Sequence, residues 1–224
     1  MTETIRILMT DDHPMIIEGY QNTLMASKKD HQHLEIDIAN TCDESVTLIN
    51  RSVAMDKPYD MLFVDIRIPP TKDGKINSGE DLAVYARKIL PQTKIVILTM
   101  FNESFRIHNI LKTVNPEGFL IKSDLTSSEL ASAFQAILYK PPFYSGTVNS
   151  YLRKTVMSDI VLDEKNRKIL YLLSQGEKTK NLAEQVGLSL SAIEKRKKHL
   201  KQLFAVEDGK DDSLIAEAKS KGFL

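Results

Sequence analysis

The chain has 224 residues, 42% hydrophobic and 27% charged, with a formal net charge of zero. That is ordinary for a globular protein, long enough for two domains and too apolar for extensive disorder. The single cysteine, Cys42, excludes an intramolecular disulfide and a cysteine-rich zinc site and reads as a small buried apolar residue.

No apolar run approaches the roughly 20 residues that span a bilayer. The start, Met1-Thr2-Glu3-Thr4-Ile5-Arg6, lacks a signal-peptide pattern, so a cytoplasmic protein is expected. The zero net charge conceals a division. Residues 1–150 hold 15 Lys+Arg against 19 Asp+Glu, a balance of −4, whereas residues 151–224 hold 15 against 11, a balance of +4. The acidic part suits a cation or phosphate chemistry that uses one; the basic part suits a nucleic-acid partner.

In chain order, Ile5 to Thr10 has a short strand pattern that runs into Asp11-Asp12. His13-Pro14 then opens an amphipathic helix whose apolar stripe is Ile16, Ile17, Tyr20, Leu24 and Met25, with Pro14 in a first turn where its missing N–H costs nothing. Leu34 to Ala39 alternates as a second strand, and Thr41 or Asp43 is placed to cap a helix carrying Val46, Leu48, Ile49 and Val53. Met61-Leu62-Phe63-Val64 has no polar residue, as expected of a strand covered on both faces, and ends on Asp65. A lone carboxylate there also serves as a helix cap or a turn residue.

Arg67 to Ser78 lacks periodicity and reads as an exposed loop. A helix resumes near Gly79, and Lys94 to Thr99 is a fourth strand ending in a hydroxyl. After a helix containing Phe105, Ile107, Ile110, Leu111 and Val114, Gly118 to Lys122 is a fifth strand ending near an amine. Thr126 and Glu129 form a capping-box pattern at the start of a fifth helix. Five strands alternating with five helices imply an α/β domain with a doubly wound, five-stranded parallel sheet.

Lys140-Pro141-Pro142 breaks the pattern. Residues 148–157 are expected to form a short helix, and Ser158-Asp159 begins a connector. Helices are then expected over 163–174, 178–186, 190–204 and 211–220, punctuated by Gly176, Gly187 and Gly209. The expected divisions are 1–140, a linker at 141–158, and a small all-α domain at 159–224.

In a parallel sheet the C-terminal strand ends lie at one edge. Asp11 and Asp12, Asp65, Thr99 and Lys122 therefore converge. Crowded carboxylates favour a hard divalent cation such as Mg²⁺, and an amine with a hydroxyl can hold phosphoryl oxygens. The set is what a carboxylate needs to accept a phosphoryl group.

Residues 5–138 thereby resemble the flavodoxin-like receiver domain of two-component response regulators, on Asp11-Asp12, Asp65 with Pro69, Leu98-Thr99 and Gly118-Phe119-Leu120-Ile121-Lys122. The resemblance implies that Asp65 is the phosphoacceptor, that Asp11 and Asp12 bind Mg²⁺, and that Arg67 gives the metal its backbone carbonyl. It further implies that Thr99 and Phe119 are switch residues and that Lys122 pairs with phosphoryl oxygens. Two departures stand out: a loop at 70–78 longer than the family's usual connection, and Met100 where a smaller residue is common. Both are expected to crowd Asp65 and to lengthen the life of a phosphorylated form.

In the basic part, a helix, a glycine turn and a longer second helix fit a helix-turn-helix. Stepping about 100° per residue gathers Ile193, Leu200, Leu203 and Phe204 on a buried stripe. Ser191, Glu194, Lys195, Lys198 and Gln202 fall opposite, and Arg196 and Lys197 flank the stripe. These residues, with Lys180, are the candidate DNA contacts; the bland alternative is a solvated basic helix face.

Residues 162–223 resemble the LuxR-type helix-turn-helix of NarL/FixJ response regulators, through Gly176, Thr179-Lys180-Asn181-Leu182-Ala183, Leu188-Ser189, Ala192-Ile193 and Ala218 with Gly222. They depart in having Arg196 where His is frequent and Glu194 where a base-contacting Lys is frequent.

The resemblance implies a regulator rather than an enzyme. A partner histidine kinase would phosphorylate Asp65, and the surface at about 104–138 would change. The resulting homodimer would place two basic helices on double-stranded DNA. One rival is an aspartyl phosphatase, which resembles a pattern with a second Asp two residues on, where this chain has Arg67. The other keeps the architecture and regulates transcription without phosphorylation or through protein contacts; the presence of Asp12, Thr99 and Lys122 weighs against it.

Overall fold

The computed structural model describes residues 2–158 and 160–224; Met1 of the N-terminal segment and Asp159 of the expected connector lie outside the described residues. By internal contacts the chain divides into one unit of Met1–Asn102 with Ile110–Val148 and another of Glu103–Asn109 with Asn149–Leu224.

The first unit is built on β1 (Glu3–Thr10), β2 (Gln32–Ala39), β3 (Met61–Asp65), β4 (Lys94–Thr99) and β5 (Gly118–Ile121). Interleaved with them in the chain are α1 (Pro14–Ser27), α2 (Cys42–Ala54), α3 (Gly79–Ile89), α4 (Ser104–Thr113), whose residues 104–109 group with the other unit, and α5 (Ser127–Tyr139). The strands pair in parallel in the order β2-β1-β3-β4-β5, with β6 (Phe143–Tyr144) added beyond β5.

The sheet is therefore six-stranded, not five-stranded. Its sixth strand is two residues long and follows Pro141-Pro142, too short to show a period-2 pattern. It is held by a Phe143 N–H bond to Glu117 O at 2.9 Å and a Ser145 N–H bond to Phe119 O at 2.9 Å. Lys122 begins a 3-10 turn (Lys122–Asp124) rather than ending the strand.

The apolar strand runs are buried on both faces. Ile7, Met9, Phe63, Val96, Leu98 and Leu120 form one core with Ile17 and Leu24 of α1 and with Leu130, Phe134 and Ile137 of α5. Alternating residues Leu8, Leu62, Val64, Ile97 and Phe119 are also buried. The helix starts follow from local chemistry. The Thr41 hydroxyl accepts from Glu44 N–H and caps α2, Ser78 accepts from Asp81 N–H and caps α3, and Thr126 with Glu129 closes the expected capping box on α5.

The loop at 70–78 is mostly exposed, as expected, but it is anchored at two points. Thr71 and Ile76 are buried, Thr71 N–H donates to Ile76 O at 2.8 Å, and Gly74 turns the chain at φ 67°. Lys72 N–H donates to Asp43 Oδ2 at 3.0 Å, which ties the loop to α2.

Helix α6 (Gly146–Met157) begins two residues earlier than expected and passes from the first unit into the second, and α7 (Glu164–Ser174), α8 (Thr179–Val186), α9 (Leu190–Leu203) and α10 (Asp211–Ser220) follow in the second. Leu170, Leu173, Leu182, Ile193, Leu200, Phe204, Leu214 and Phe223 make its core. Gly187 ends α8 in the left-handed region at φ 68°, and Ser189 accepts from Ala192 N–H to start α9, so a turn joins the two helices. Among the described residues, no helix is long and apolar enough to cross a membrane.

Two carboxylates brace this unit. Burial works to raise the Asp163 and Asp211 carboxyl groups. It is outweighed at Asp163 by hydrogen bonds from Arg196 and from Asn166 N–H, and at Asp211 by Lys197 and Lys201, so both lie below the ordinary carboxylate range. A carboxyl lowered in the folded state contributes stability above its unfolded value of about 3.9, and that contribution is lost as pH falls through the folded value. Asp211→Asn should therefore lower the urea midpoint at pH 7, and the gap from the parent should close as pH falls below about 4. Urea melts of both proteins at several pH values, read by circular dichroism, check this.

Candidate functional site

At the C-terminal edge of the sheet, Thr10 pairs with Val64, so the residues that follow them, Asp11 and Asp65, are neighbours. Both are 4% exposed. Two buried carboxylates at this range repel each other unless a cation intervenes. Lys122 supplies it: its Nζ lies 2.6 Å from Asp11 Oδ2 and 2.7 Å from Asp65 Oδ2, with a side chain only 6% exposed.

Burial raises the Asp65 carboxyl above its ordinary range; the Lys122 hydrogen bond and charge pull it back, and Asp11 adds to the rise. Burial alone would lower the Lys122 amine, but its bonds to Asp11 and Asp65 outweigh that and raise it. Asp65 is further oriented by the Arg67 N–H, which donates to its Oδ1 at 3.3 Å.

Asp12 is at the rim, with a side chain 32% exposed. One ligand atom from each of Asp11, Asp12, His13 and Asp65 falls within a 4.8 Å span. Three carboxylates converging at the rim of a polar edge fit a hard divalent cation such as Mg²⁺. Thr99 is buried at the end of β4, and its Oγ1 accepts from Phe101 N–H at 3.1 Å. Phe119 is fully enclosed and pairs with Ile97 in the sheet. The edge thus gathers Asp11, Asp12, Asp65 and Lys122, with Thr99 on the neighbouring strand end.

Met100 is 65% exposed, so most of its side chain faces solvent. The next residue, Phe101, has the Arg67 guanidinium over its ring at 5.2 Å from the centroid, which links the segments after β3 and β4.

Three further residues border this edge. His13, at the helix entry, has its Nδ1 2.7 Å from Asp12 Oδ1 and 3.1 Å from Asp11 Oδ1. Tyr20, placed on the apolar stripe, borders the site: burial raises its hydroxyl, with Lys122, Asp11 and Asp65 all acting on it. Gly79 opens α3, and its larger role is spatial. A Cβ there would sit 1.8 Å from the Asp65 backbone oxygen and 2.9 Å from Val64 Cγ1. The adjacency of Asp11 and His13 was visible in the sequence; the approach of Gly79 to Asp65 depends on the fold.

On α9, Ser191, Glu194, Lys195, Lys198 and Gln202 are exposed as expected, as is Lys180 on α8. Lys197 is a correction. It is 6% exposed, and its Nζ donates to Thr179 Oγ1 at 2.8 Å and pairs with Asp211 Oδ2 at 2.7 Å. It is an internal brace, not a side chain available to phosphates. Arg196 is half-engaged in the same way, bonded to Asp163 Oδ2 and Asn166 Oδ1, each at 2.8 Å.

Because the Asp65 backbone oxygen lies where a residue-79 Cβ would go, Gly79→Ala must displace one of the two segments. The expected cost is about 1–3 kcal/mol, together with weaker divalent-cation binding at Asp65. Urea unfolding and a Mn²⁺ titration of the variant measure both effects; parent-like values in the two assays would contradict the packing described.

No family model matches the chain. It is 22% identical over 210 residues to the oxygen regulatory protein NreC of Staphylococcus carnosus (strain TM300), covering 88% of this chain and 90% of that protein. It is 25% identical over 210 residues to the transcriptional regulatory protein MctR of Rhizobium johnstonii, covering 92% and 91%. Among solved structures, RcsB dimers bound to two parallel DNAs match with a TM-score of 0.63 at 23% identity, over 97% of this chain and 99% of that one. The isolated REC domain of RcsB from Salmonella enterica serovar Typhimurium, in the presence of the phosphomimetic BeF3⁻, matches with a TM-score of 0.53 at 23% identity, over 66% of this chain and 98% of that one. The likeness to RcsB shows the fold, a parallel α/β receiver-type sheet followed by a helical helix-turn-helix unit. Over nearly its full length, the chain resembles two-component response regulators of the NarL/FixJ type.

Proposed function

We propose that the chain is a phosphorylation-dependent transcription regulator, with a receiver domain at 1–140, a linker at 141–158 and a DNA-binding domain at 159–224. The observation that carries this reading is the position of Lys122, 2.6 and 2.7 Å from the carboxylates of Asp11 and Asp65. A cation held there can exchange a carboxylate partner for a phosphoryl oxygen without leaving its burial.

In this reading the Asp65 carboxylate attacks the phosphorus of a kinase phosphohistidine. The P–N bond breaks, the imidazole leaves, and an acyl phosphate forms on Asp65. Asp11 and Asp12, with the Arg67 carbonyl, would hold Mg²⁺, which when bound supplies charge neutralisation at the phosphoryl group. Lys122 binds the phosphoryl oxygens. The Thr99 hydroxyl leaves Phe101 N–H for the phosphoryl group, and Phe119 repacks with it, which biases a pre-existing equilibrium. The chain turns over no separate substrate in this scheme.

Phosphorylation would favour a homodimer through the surface at about 104–138. NreC and MctR are named as regulatory proteins, and the RcsB structure contains DNA. By analogy the exposed face of α9, carrying Ser191, Glu194, Lys195, Lys198 and Gln202 with Lys180 nearby, would enter a DNA groove, and the protein would work in the cytoplasm.

The test is incubation with acetyl phosphate and Mg²⁺, comparing the parent with Asp65→Asn. Intact mass, light scattering and binding to double-stranded DNA selected from a random pool are the readouts. The parent should gain one phosphoryl group, dimerise and bind more tightly, and Asp65→Asn should do none of these. An unlabelled parent would contradict the receiver chemistry. Equal dimerisation and DNA binding by both proteins would contradict control by phosphorylation. The label should persist, because the Arg67–Phe101 contact ties together the segments that follow Asp65 and Thr99; rapid loss in Mg²⁺ buffer would contradict that expectation.

A further inference from the structure

The turn that carries Lys122 is weakly held by its own bonds. Lys122–Asp124 is a single 3-10 turn, closed by Leu125 N–H to Lys122 O at 3.3 Å, and hydrogen-bond geometry in such turns is poor. Yet the Lys122 amine, on a flexible four-carbon stem, meets two carboxylates at 2.6 and 2.7 Å. The start of that stem has to be fixed from outside the turn.

The segment leading into α6 fixes it on both sides. Before the turn, Ser145 N–H donates to Phe119 O at 2.9 Å, and Ile121 N–H donates to the buried Ser145 Oγ at 3.1 Å. At the end of the turn, Asp124 accepts twice from Thr147, from its N–H on Oδ2 and from its hydroxyl on Oδ1, each at 2.8 Å. Burial works to raise the Asp124 carboxyl. The bonds from Thr147 N–H, the Ser145 hydroxyl and the Thr147 hydroxyl outweigh it and hold the group below the ordinary carboxylate range. Thr147 is the second residue of α6. Asp124 therefore takes one of the N–H groups that a helix start leaves unpaired, where its negative charge is also favoured. Bonds to an ionised carboxylate are stronger than the one neutral bond inside the turn. All these residues belong to the first unit, and α6 continues from there into the second.

We propose that Asp124 is a positioning residue for Lys122: by fastening the end of the Lys122 turn to Thr147, it sets the amine at the distance from Asp65 at which it takes a phosphoryl oxygen. The inference rests on the reading of Asp65 as a phosphoacceptor. Asp124 acts through Lys122 and not on the phosphoryl group. A carboxylate that only capped α6 would contribute stability without setting the rate at which Asp65 is phosphorylated.

The experiment follows the labelling of the full chain by acetyl phosphate and Mg²⁺ over time, read by intact mass. Circular dichroism and urea melts verify each fold, and calorimetry measures Mg²⁺ affinity. Asp124→Ala should slow labelling about tenfold with Mg²⁺ affinity unchanged. Asp124→Asn, which keeps an oxygen for Thr147 N–H, should recover most of the rate. Thr126→Ala, which removes the cap of α5 just beyond the turn, should lower the urea midpoint and label at the parent rate. Parent-rate labelling by Asp124→Ala, or equal slowing by Thr126→Ala, overturns the positioning role. If Asp124→Ala fails to fold, Thr147→Val decides. It removes one bond to Asp124 and should slow labelling about threefold, as the loss of one ordinary hydrogen bond would; the parent rate would overturn the role. A parent that takes no label overturns the phosphoacceptor reading, and the role of Asp124 with it, whereas a labelled parent with equally fast variants overturns the role alone.

Discussion

The position of Lys122 between Asp11 and Asp65 is the constraint on which the rest of the first unit depends. Two carboxylates, each 4% exposed, are brought together by adjacent parallel strands. Without an intervening cation their repulsion and desolvation would oppose closure of the sheet edge. The amine reaches them from the end of β5, two strands away from β3. β4 must therefore lie between β3 and β5, and the 3-10 turn at Lys122–Asp124 must begin directly after Ile121. Gly79 belongs to the same constraint, since its missing side chain makes room for the Asp65 backbone oxygen.

The resulting site stores electrostatic tension. Burial raises the Asp65 carboxyl, and the amine that relieves it is itself shared with Asp11. A group bearing more negative charge than a carboxylate would compete strongly for that amine. This is a physical route from a local charge change to altered packing at β4 and β5, whose ends carry Thr99 and Lys122 and whose interior holds the enclosed Phe119. The helical unit uses charge differently. Lys197 and Arg196 are spent on internal carboxylates, so its outward basic surface is narrower than the count of Lys and Arg suggests.

The parallel sheet was legible because covered strands leave continuous apolar runs and because Thr41, Ser78 and Thr126 sit where helices need caps. The convergence of Asp11, Asp65 and Lys122 followed from topology alone, as all strand ends of one sense share an edge. What stayed hidden had specific causes. β6 is too short for periodicity, and the 70–78 loop takes its order from Thr71 and Ile76, whose burial depends on bonds across the turn. Lys197 lies only about 40° from Ile193 on a helical wheel, close enough to the buried stripe to be suspected, but a lysine there suggested solvent. Its burial depends on Asp211, which meets it from a separate helix.

The claim that Lys122 makes the acidic edge possible is tested most directly by the thermal stability of Lys122→Met with and without Mg²⁺, measured by scanning calorimetry beside the parent. Removing one partner of a buried ion pair typically costs about 3–5 kcal/mol. The account predicts a variant clearly less stable than the parent in metal-free buffer and raised more by Mg²⁺ than the parent is. A variant as stable as the parent without metal, with no greater response to Mg²⁺, would contradict it.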